Sequence, residues 1–311
     1  MTDPQLQEMF QEFKDADIRA YEEELARLRD GQTRTRERDR VMGRHLNTVA
    51  QEHGVDLGRL HEIHDGEQLW LQGYLQEIKP TLMDRPSPAT QDLRAQAAYR
   101  SLLEEAGGRN AEPLGVLQLA PDVSHFDGID GERGNPWLLP QNTDRIHIGQ
   151  YFTDSGSGCW GGYIYAPDNA LVYFGYLPPK SGVVTFQAWI ALHGFYIARA
   201  DDTCFSCKSA KAYAALWMDV VQNKVLQNGP TYTIVNIDDD NVDTYGFVDK
   251  QFQLTMTAPV QSQAPVGIRV GMAVGTMARG GGSYAEVNFK DKAANGDELH
   301  YAYIPCVVAY E

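Results

Sequence analysis

The residues best suited by type and spacing to do chemistry fall into four groups. Cys204 and Cys207 enclose two residues in Cys204-Phe-Ser-Cys207, the spacing of half a zinc knuckle or of a redox pair. A structural zinc site takes four ligands, usually from a second such pair, and Cys159 and Cys306 are isolated. The two thiols therefore read as small side chains in a turn, able to pair as a disulfide only in oxidising surroundings. Four of the eight histidines (His45, His53, His61 and His64) fall within twenty residues. His61-Glu62-Ile63-His64 places its imidazoles three apart, where a metalloprotease helix needs four with a Glu between, so His64 reads as part of an apolar stripe.

Asp238, Asp240 and Asp243 belong to the run Asp238-Asp-Asp-Asn-Val-Asp243, between two strand-like segments. Clustered loop oxygens suit calcium, which takes about six to eight of them. The run lacks the central Gly and terminal Glu of an EF-hand, and an acidic hairpin loop that solvates the turn is the plainer reading. Asp127, Asp130 and Glu132 form a second acidic cluster with the same two readings. The fourth group is aromatic: Trp137, Trp160, Tyr163, Tyr165, Tyr173, Phe174 and Tyr176 lie within forty residues. Trp137, Trp160 and Tyr163, beside turns and near Asn and Asp, are candidates to bind a sugar or a protein surface; the others read as core. Gly156-Ser157-Gly158 is too short for a nucleophile elbow, and Gly280-Gly281-Gly282 lacks the helix and Lys of a phosphate loop and reads as a hairpin tip. No catalytic constellation stands out.

The elements that must position these groups divide near residue 113. Charged residues number 37 of the first 113 and 32 of the remaining 198, while 13 of 16 tyrosines and 21 of 29 glycines fall in the second part. Charge-rich and glycine-poor predicts helix; tyrosine and glycine with β-branched runs predict sheet. Four helices are expected. The first opens at Asp3-Pro4, carries Leu6, Met9, Phe10, Phe13, Ile18, Tyr21, Leu25 and Leu28 at three- and four-residue steps, and stops at Asp30-Gly31. The second carries Val41, Met42, His45, Leu46 and Val49 and stops at Gly54. A third, capped by Asp56, carries Leu57, Leu60, Leu71, Leu75 and Ile78 and ends at Pro80; a short fourth carries Leu93, Ala97, Leu102 and Leu103. Each stripe is narrow, so these helices need a partner: one another, the second domain, or another copy of the chain.

Residues 107–140 are rich in Gly, Pro, Asp and Asn and read as a connector, with Val116–Leu119 a short strand inside it. From Arg145 about ten strands follow, punctuated by turn residues. In Phe247–Thr257, Phe252, Leu254 and Met256 alternate with Gln251, Gln253, Thr255 and Thr257, the period of a sheet wet on one face. The expected fold is α+β with its parts segregated: helical assembly or docking segment 1–106, connector 107–140, and an antiparallel β-sandwich or jelly roll over 141–311.

Net charge is −15, which excludes a general basic surface for nucleic acid. Ser181–Ala198, the longest uncharged apolar stretch, alternates like a strand and holds Gln187 and His193, so no membrane span is expected. Neither a basic nor an apolar leader opens the sequence, so synthesis in the cytoplasm is expected, with release or assembly into a particle afterwards. Together these features point to a non-enzymatic structural or binding protein. Its helices would join copies of the chain, and its sandwich would meet a carbohydrate or a protein, with calcium the one cofactor suggested. Two alternatives compete. One is a jelly-roll enzyme acting on a glycan or small molecule through a metal held by His125, His147, His193 or His300, with His147 turned inward between Ile146 and Ile148. The other is a pore-forming protein whose helices rearrange.

Overall fold

The computed structural model describes residues 4–83, 92–94, 96–98, 100–101, 112–114, 116–119, 145–153, 167–201, 208–291, 298–305 and 307–310. Two long helices come first. Helix α1 spans Pro4–Glu52 and helix α2 spans Leu57–Met83. The stop expected at Asp30-Gly31 does not occur, and two expected helices are one of 49 residues. A single interior Gly costs only about 1 kcal/mol, too little to break a run of helix formers, and the Arg34–Asp30 ion pair spans the position. The stop does come at Gly54, where φ is 77° and Val55 N–H donates to the Ala50 carbonyl at 2.9 Å. Asp56 caps α2 as expected: its Oδ1 accepts from the N–H groups of Gly58 and Arg59 at 2.9 and 3.2 Å. Helix α2 continues past Pro80, because the turn beyond it carries Leu82, which is fully buried.

Among the described residues thirteen strands follow: β1 (Glu112–Leu114), β2 (Val116–Leu119), β3 (Arg145–Ile146), β4 (Ile148–Thr153), β5 (Asp168–Tyr176), β6 (Gly182–Ala200), β7 (Ser209–Gln222), β8 (Val225–Asp239), β9 (Val242–Val260), β10 (Val266–Arg279), β11 (Tyr284–Phe289), β12 (Tyr301–Tyr303) and β13 (Val307–Tyr310). Every pairing among them is antiparallel. Four pairs nest inside one another: β7–β8, then β6–β9, then β5–β10, then β4–β11. The whole is one long hairpin rolled into two sheets and closed by the β11–β6 and β10–β7 pairings. The orders β4-β11-β6-β9 and β5-β10-β7-β8 are those of a jelly roll, which the small strands β1, β3, β12 and β13 extend on the first sheet and β2 on the second. At the innermost turn Asn223 and Lys224 both have positive φ, 52° and 64°, as a two-residue type I′ loop requires.

Two expected strands, Val183–Leu192 and Phe195–Ala200, are the single strand β6, which pairs with β9 along all 19 residues. Gly194 is not a turn there. A Cβ on it would lie 2.4 Å from the Phe289 ring, so glycine lets β6 approach β11. Gly280–Gly282 is not a hairpin tip either: it carries the chain from β10 in one sheet to β11 in the other, with φ of 81° and 77° at Gly280 and Gly282. The predicted alternation in β9 holds, with Leu254 and Met256 buried and Gln253, Thr255 and Thr257 exposed.

The core lies between the sheets and is built from the even-numbered residues of β6 (Val184, Phe186, Ala188, Ile190, Leu192) facing Leu216, Met218, Ile268, Val270 and Met272. The odd-numbered residues of β6 point outward. Phe195, Ile197 and Tyr284 there receive Leu71, Ile78 and Leu82 of α2, with Tyr74, Leu75 and Met83 at the margin. Helix α2 thus lies on the outer face of the first sheet.

Candidate functional site

The face beneath α2 is where the polar chemistry of the described residues gathers. β6 contributes His193 and Arg199, β11 contributes Tyr284, Glu286 and Asn288, and β12 contributes Tyr301 and Tyr303, all by the period-two alternation that sends their neighbours into the core. Three groups result.

At one end stands Asp92. Its carboxylate accepts from the Tyr301 hydroxyl at 2.7 Å and from an Arg145 guanidinium nitrogen at 3.3 Å, and lies 3.1 Å from His193 Nε2. His193 Nδ1 is 3.2 Å from Asp249, so both ring nitrogens face carboxylates. Arg145 also pairs with Glu298 and lies 4.4 Å above the Tyr301 ring. Burial of Arg145 works against its charge, but Glu298, Tyr301 and Asp92 outweigh it and push its pKa up. Burial, then Asp92, pushes the Tyr301 phenol well above the usual value. Residues 92–94 are helical, as expected, but the stripe expected there is wrong: Leu93 is 64% exposed and Asp92 is buried. The sheet beneath offers a guanidinium, an imidazole and a phenol, and a carboxylate matches those better than a leucine does.

In the middle, Lys79 of α2 donates to the Tyr284 hydroxyl and pairs with Glu286, both at 2.9 Å. Tyr284 donates to Glu286 at 2.7 Å, and Asn288 donates to Glu286 at 2.9 Å and to Asp291 at 3.0 Å. Burial and the Glu286 charge raise the Tyr284 phenol far beyond its ordinary range. Burial would raise Asp291 too, but His300 and Asn288 hold it below the usual carboxylate value.

At the other end, Trp70 and Tyr74 of α2 stack with ring centres 5.3 Å apart, and the Arg199 guanidinium lies 3.7 Å from one ring centre and 4.6 Å from the other. Arg199 pairs with Asp243, which also accepts from the Tyr74 hydroxyl at 2.6 Å. Burial, then Asp243, raises the Tyr74 phenol above its ordinary range. Beside them Lys208 pairs with Glu67 at 2.7 Å. Ile63, Glu67, Trp70, Arg199, Asp201 and Lys208 line a cleft of about 470 Å³ that opens to solvent, within the size range of small-molecule sites.

The residues singled out from sequence are placed unequally. Trp137, Trp160, Tyr163, Cys204 and Cys207 lie outside the described residues, as do His125 and the cluster Asp127, Asp130 and Glu132. Of the acidic run, Asp238 pairs with Lys211 at 2.9 Å, Asp243 pairs with Arg199, and the exposed Asp240 sits in the β8–β9 turn. Asp239 makes that turn, accepting from the Asp240 and Asn241 N–H groups at 2.8 and 3.2 Å, and these two bonds hold its pKa low. Among the described residues no three His, Cys, Asp or Glu converge as a metal would need. His147 is not turned inward: Ile146 and Ile148 enter the core, and the imidazole lies on the opposite face, 3.1 Å from Glu298. The strand parity was right, and the core is simply on the isoleucine side.

Sequence reasoning passed over Asp92, Arg145, Arg199, Glu286 and Trp70. The signal for Arg199 and Glu286 was an isolated charge at an alternate position of an otherwise apolar strand. Asp92 carried none.

No protein-family model matches the chain, and no curated protein matches it. Among solved structures it is similar to a family 35 carbohydrate-binding module from Clostridium thermocellum, 15% identical, covering 47% of this chain and 92% of that one at a TM-score of 0.16. It is also similar to the Eiger TNF of S. frugiperda, 14% identical over 41% and 70% of the chains at 0.15, and to infectious bursal disease virus Gx strain, 10% identical over 60% and 42% at 0.12. Likeness at these scores carries no argument about function. No described helix is long and apolar enough to cross a membrane.

Proposed function

We propose that the chain is a non-enzymatic structural and binding protein. Residues 1–106 join copies of it or dock it in a larger particle, and the jelly roll presents a recognition surface for a carbohydrate or a protein. The observation that carries this reading is α1. At ~1.5 Å per residue its 49 residues extend about 74 Å, longer than one domain of this size needs to cover itself. A helix of that length gains its stability from packing an apolar stripe against something, and in the sequence Ile18, Tyr21, Leu25 and Leu28 supply one. A second copy of α1 offers a matching one.

Light scattering coupled to size-exclusion chromatography tests this. The full chain is expected at a whole-number multiple of 34.7 kDa, and a Leu25→Lys, Leu28→Lys double variant at the monomer mass. A wild-type monomer across the micromolar range would sink the assembly reading.

A further inference from the structure

We propose that the cleft between α2 and the end of β6 binds an uncharged carbohydrate, with Trp70 as its stacking wall. The proposal deepens the reading of the jelly roll as a recognition domain and rests on it, but not on assembly through α1.

Three observations lead there. The first is the exposure of Trp70. Trp70 is 50% exposed although Leu71 beside it and Tyr74 one turn on are engaged with the sheet. A large aromatic surface held at the wall of a cleft by a stacked tyrosine and a guanidinium is the apolar platform that the C–H face of a sugar ring needs. The second is that the polar groups of the wall are already fixed. Arg199 is held by Asp243, and Lys208, with a side chain only 5% exposed, by Glu67. Groups locked by such pairs lose little rotamer freedom when a ligand arrives, and each keeps donors or acceptors to spare.

The third observation decides the ligand class. Cations and carboxylates line the cleft together: Glu67 with its partner Lys208, Asp201, and Arg199, which is paired with Asp243. An anionic ligand would meet Glu67 and Asp201, inside a chain of net charge −15; a cationic one would meet Arg199 and Lys208. A sugar hydroxyl both donates and accepts, so it is satisfied by either neighbour. Asp201, an exposed carboxylate on the cleft wall, supplies a further acceptor type. The glycine at 282, with φ of 77°, brings the β10–β11 turn close to Glu67 and forms part of the wall without a side chain that would fill the space.

Saturation-transfer NMR on the full chain, with cellotetraose, xylotetraose, maltotetraose, chitotetraose and trigalacturonic acid as probes, tests the assignment. At least one neutral probe is expected to show transfer, and trigalacturonic acid none. In Trp70→Ala the affinity for that probe falls about tenfold or more. Trp70→Phe recovers part of it. Asp201→Asn, exposed and away from the α2 packing, weakens binding several-fold with unchanged thermal stability, so a loss there cannot be assigned to unfolding. Transfer to no neutral probe overturns the proposal, as does transfer to the uronate alone. Transfer that survives Trp70→Ala and Asp201→Asn but is lost in Trp160→Ala also overturns it, and moves recognition to the aromatic run around residues 137–163. Oligomeric state, measured on the same samples, separates this outcome from failure of the assembly reading: a monomer that binds keeps the cleft, and an oligomer that does not bind loses it.

Discussion

Helices α1 and α2 are neighbours in sequence with opposite circumstances. Helix α2 lays Leu71, Ile78 and Leu82 onto Phe195, Ile197 and Tyr284, while the described side chains of α1, Met9 apart, remain at least partly exposed. Composition explains the difference. α2 carries an apolar or aromatic residue at nearly every position facing the sheet and few charges between them, whereas α1 is dense in Arg, Glu and Asp and its stripe is thin. A helix docked within its own chain has its stability set by that chain; on the proposed reading that of α1 is set largely by a second copy. The two should therefore respond to substitution on different scales.

The largest effect is expected at Leu82. Leu82→Ala removes a fully buried side chain between α2 and the sheet and should cost about 2–5 kcal/mol in denaturant unfolding. A loss below about 1 kcal/mol would mean that α2 is not docked in solution. Asp92→Ala comes next, at about 2 kcal/mol, since it leaves the Tyr301 hydroxyl without its acceptor and takes one of the two carboxylates facing His193, while Arg145 keeps Glu298. Asp92→Asn, which still accepts, should cost about half as much.

Alkaline pH is the third probe. The folded state raises the Tyr284 phenol above its ordinary 10.0, chiefly by burial and then by Glu286. The unfolded chain therefore loses that proton first as pH rises. Stability from this group is complete below pH 10 and falls above it, by about 1 kcal/mol per pH unit, as do smaller contributions from Tyr301 and Tyr74. Denaturant midpoints at pH 9, 10 and 11, read with phenolate absorbance, check this; Tyr284→Phe should flatten the decline. Asp291 acts at the other end of the scale: its lowered pKa contributes stability above about pH 4 that is lost on further acidification. The smallest effect is expected in α1. Val41→Ala, at a half-exposed position, should change unfolding by less than about 0.5 kcal/mol at a concentration where the chain is monomeric. A larger cost there would show α1 packed within its own chain, and the contrast between the helices would disappear.

Sequence made the gross plan legible because each signal is local. Asp56 and Gly54 mark helix ends through their own backbone chemistry, and Phe252, Leu254 and Met256 mark a half-buried strand by parity alone. It misled where a residue serves a distant neighbour. Gly31 and Gly194 look like breaks, yet one is carried by the propagating helix and the other makes room for Phe289. The cleft was invisible for the same reason. Trp70 and Arg199 are 129 positions apart, and only the turn of β6 outward and the docking of α2 bring them together. Asp92 was obscured by the leucine beside it, because the surface that selects the carboxylate is assembled from β3, β6 and β12.

The nested arrangement of the strands also orders events in time. Gln222 and Val225 pair across a two-residue loop, but Thr153 pairs with Tyr284, and Glu112 with Ala309, nearly 200 positions away. Closing a loop costs more entropy the longer it is, so the ladder is cheapest to start at the β7–β8 turn and each outer pair inherits a shorter effective loop from the one inside it. The platform for α2 does not exist until β11 has joined β6. Until then its leucines have no surface to meet, so the docking of α2 waits on the pairing of two strands far apart in the chain.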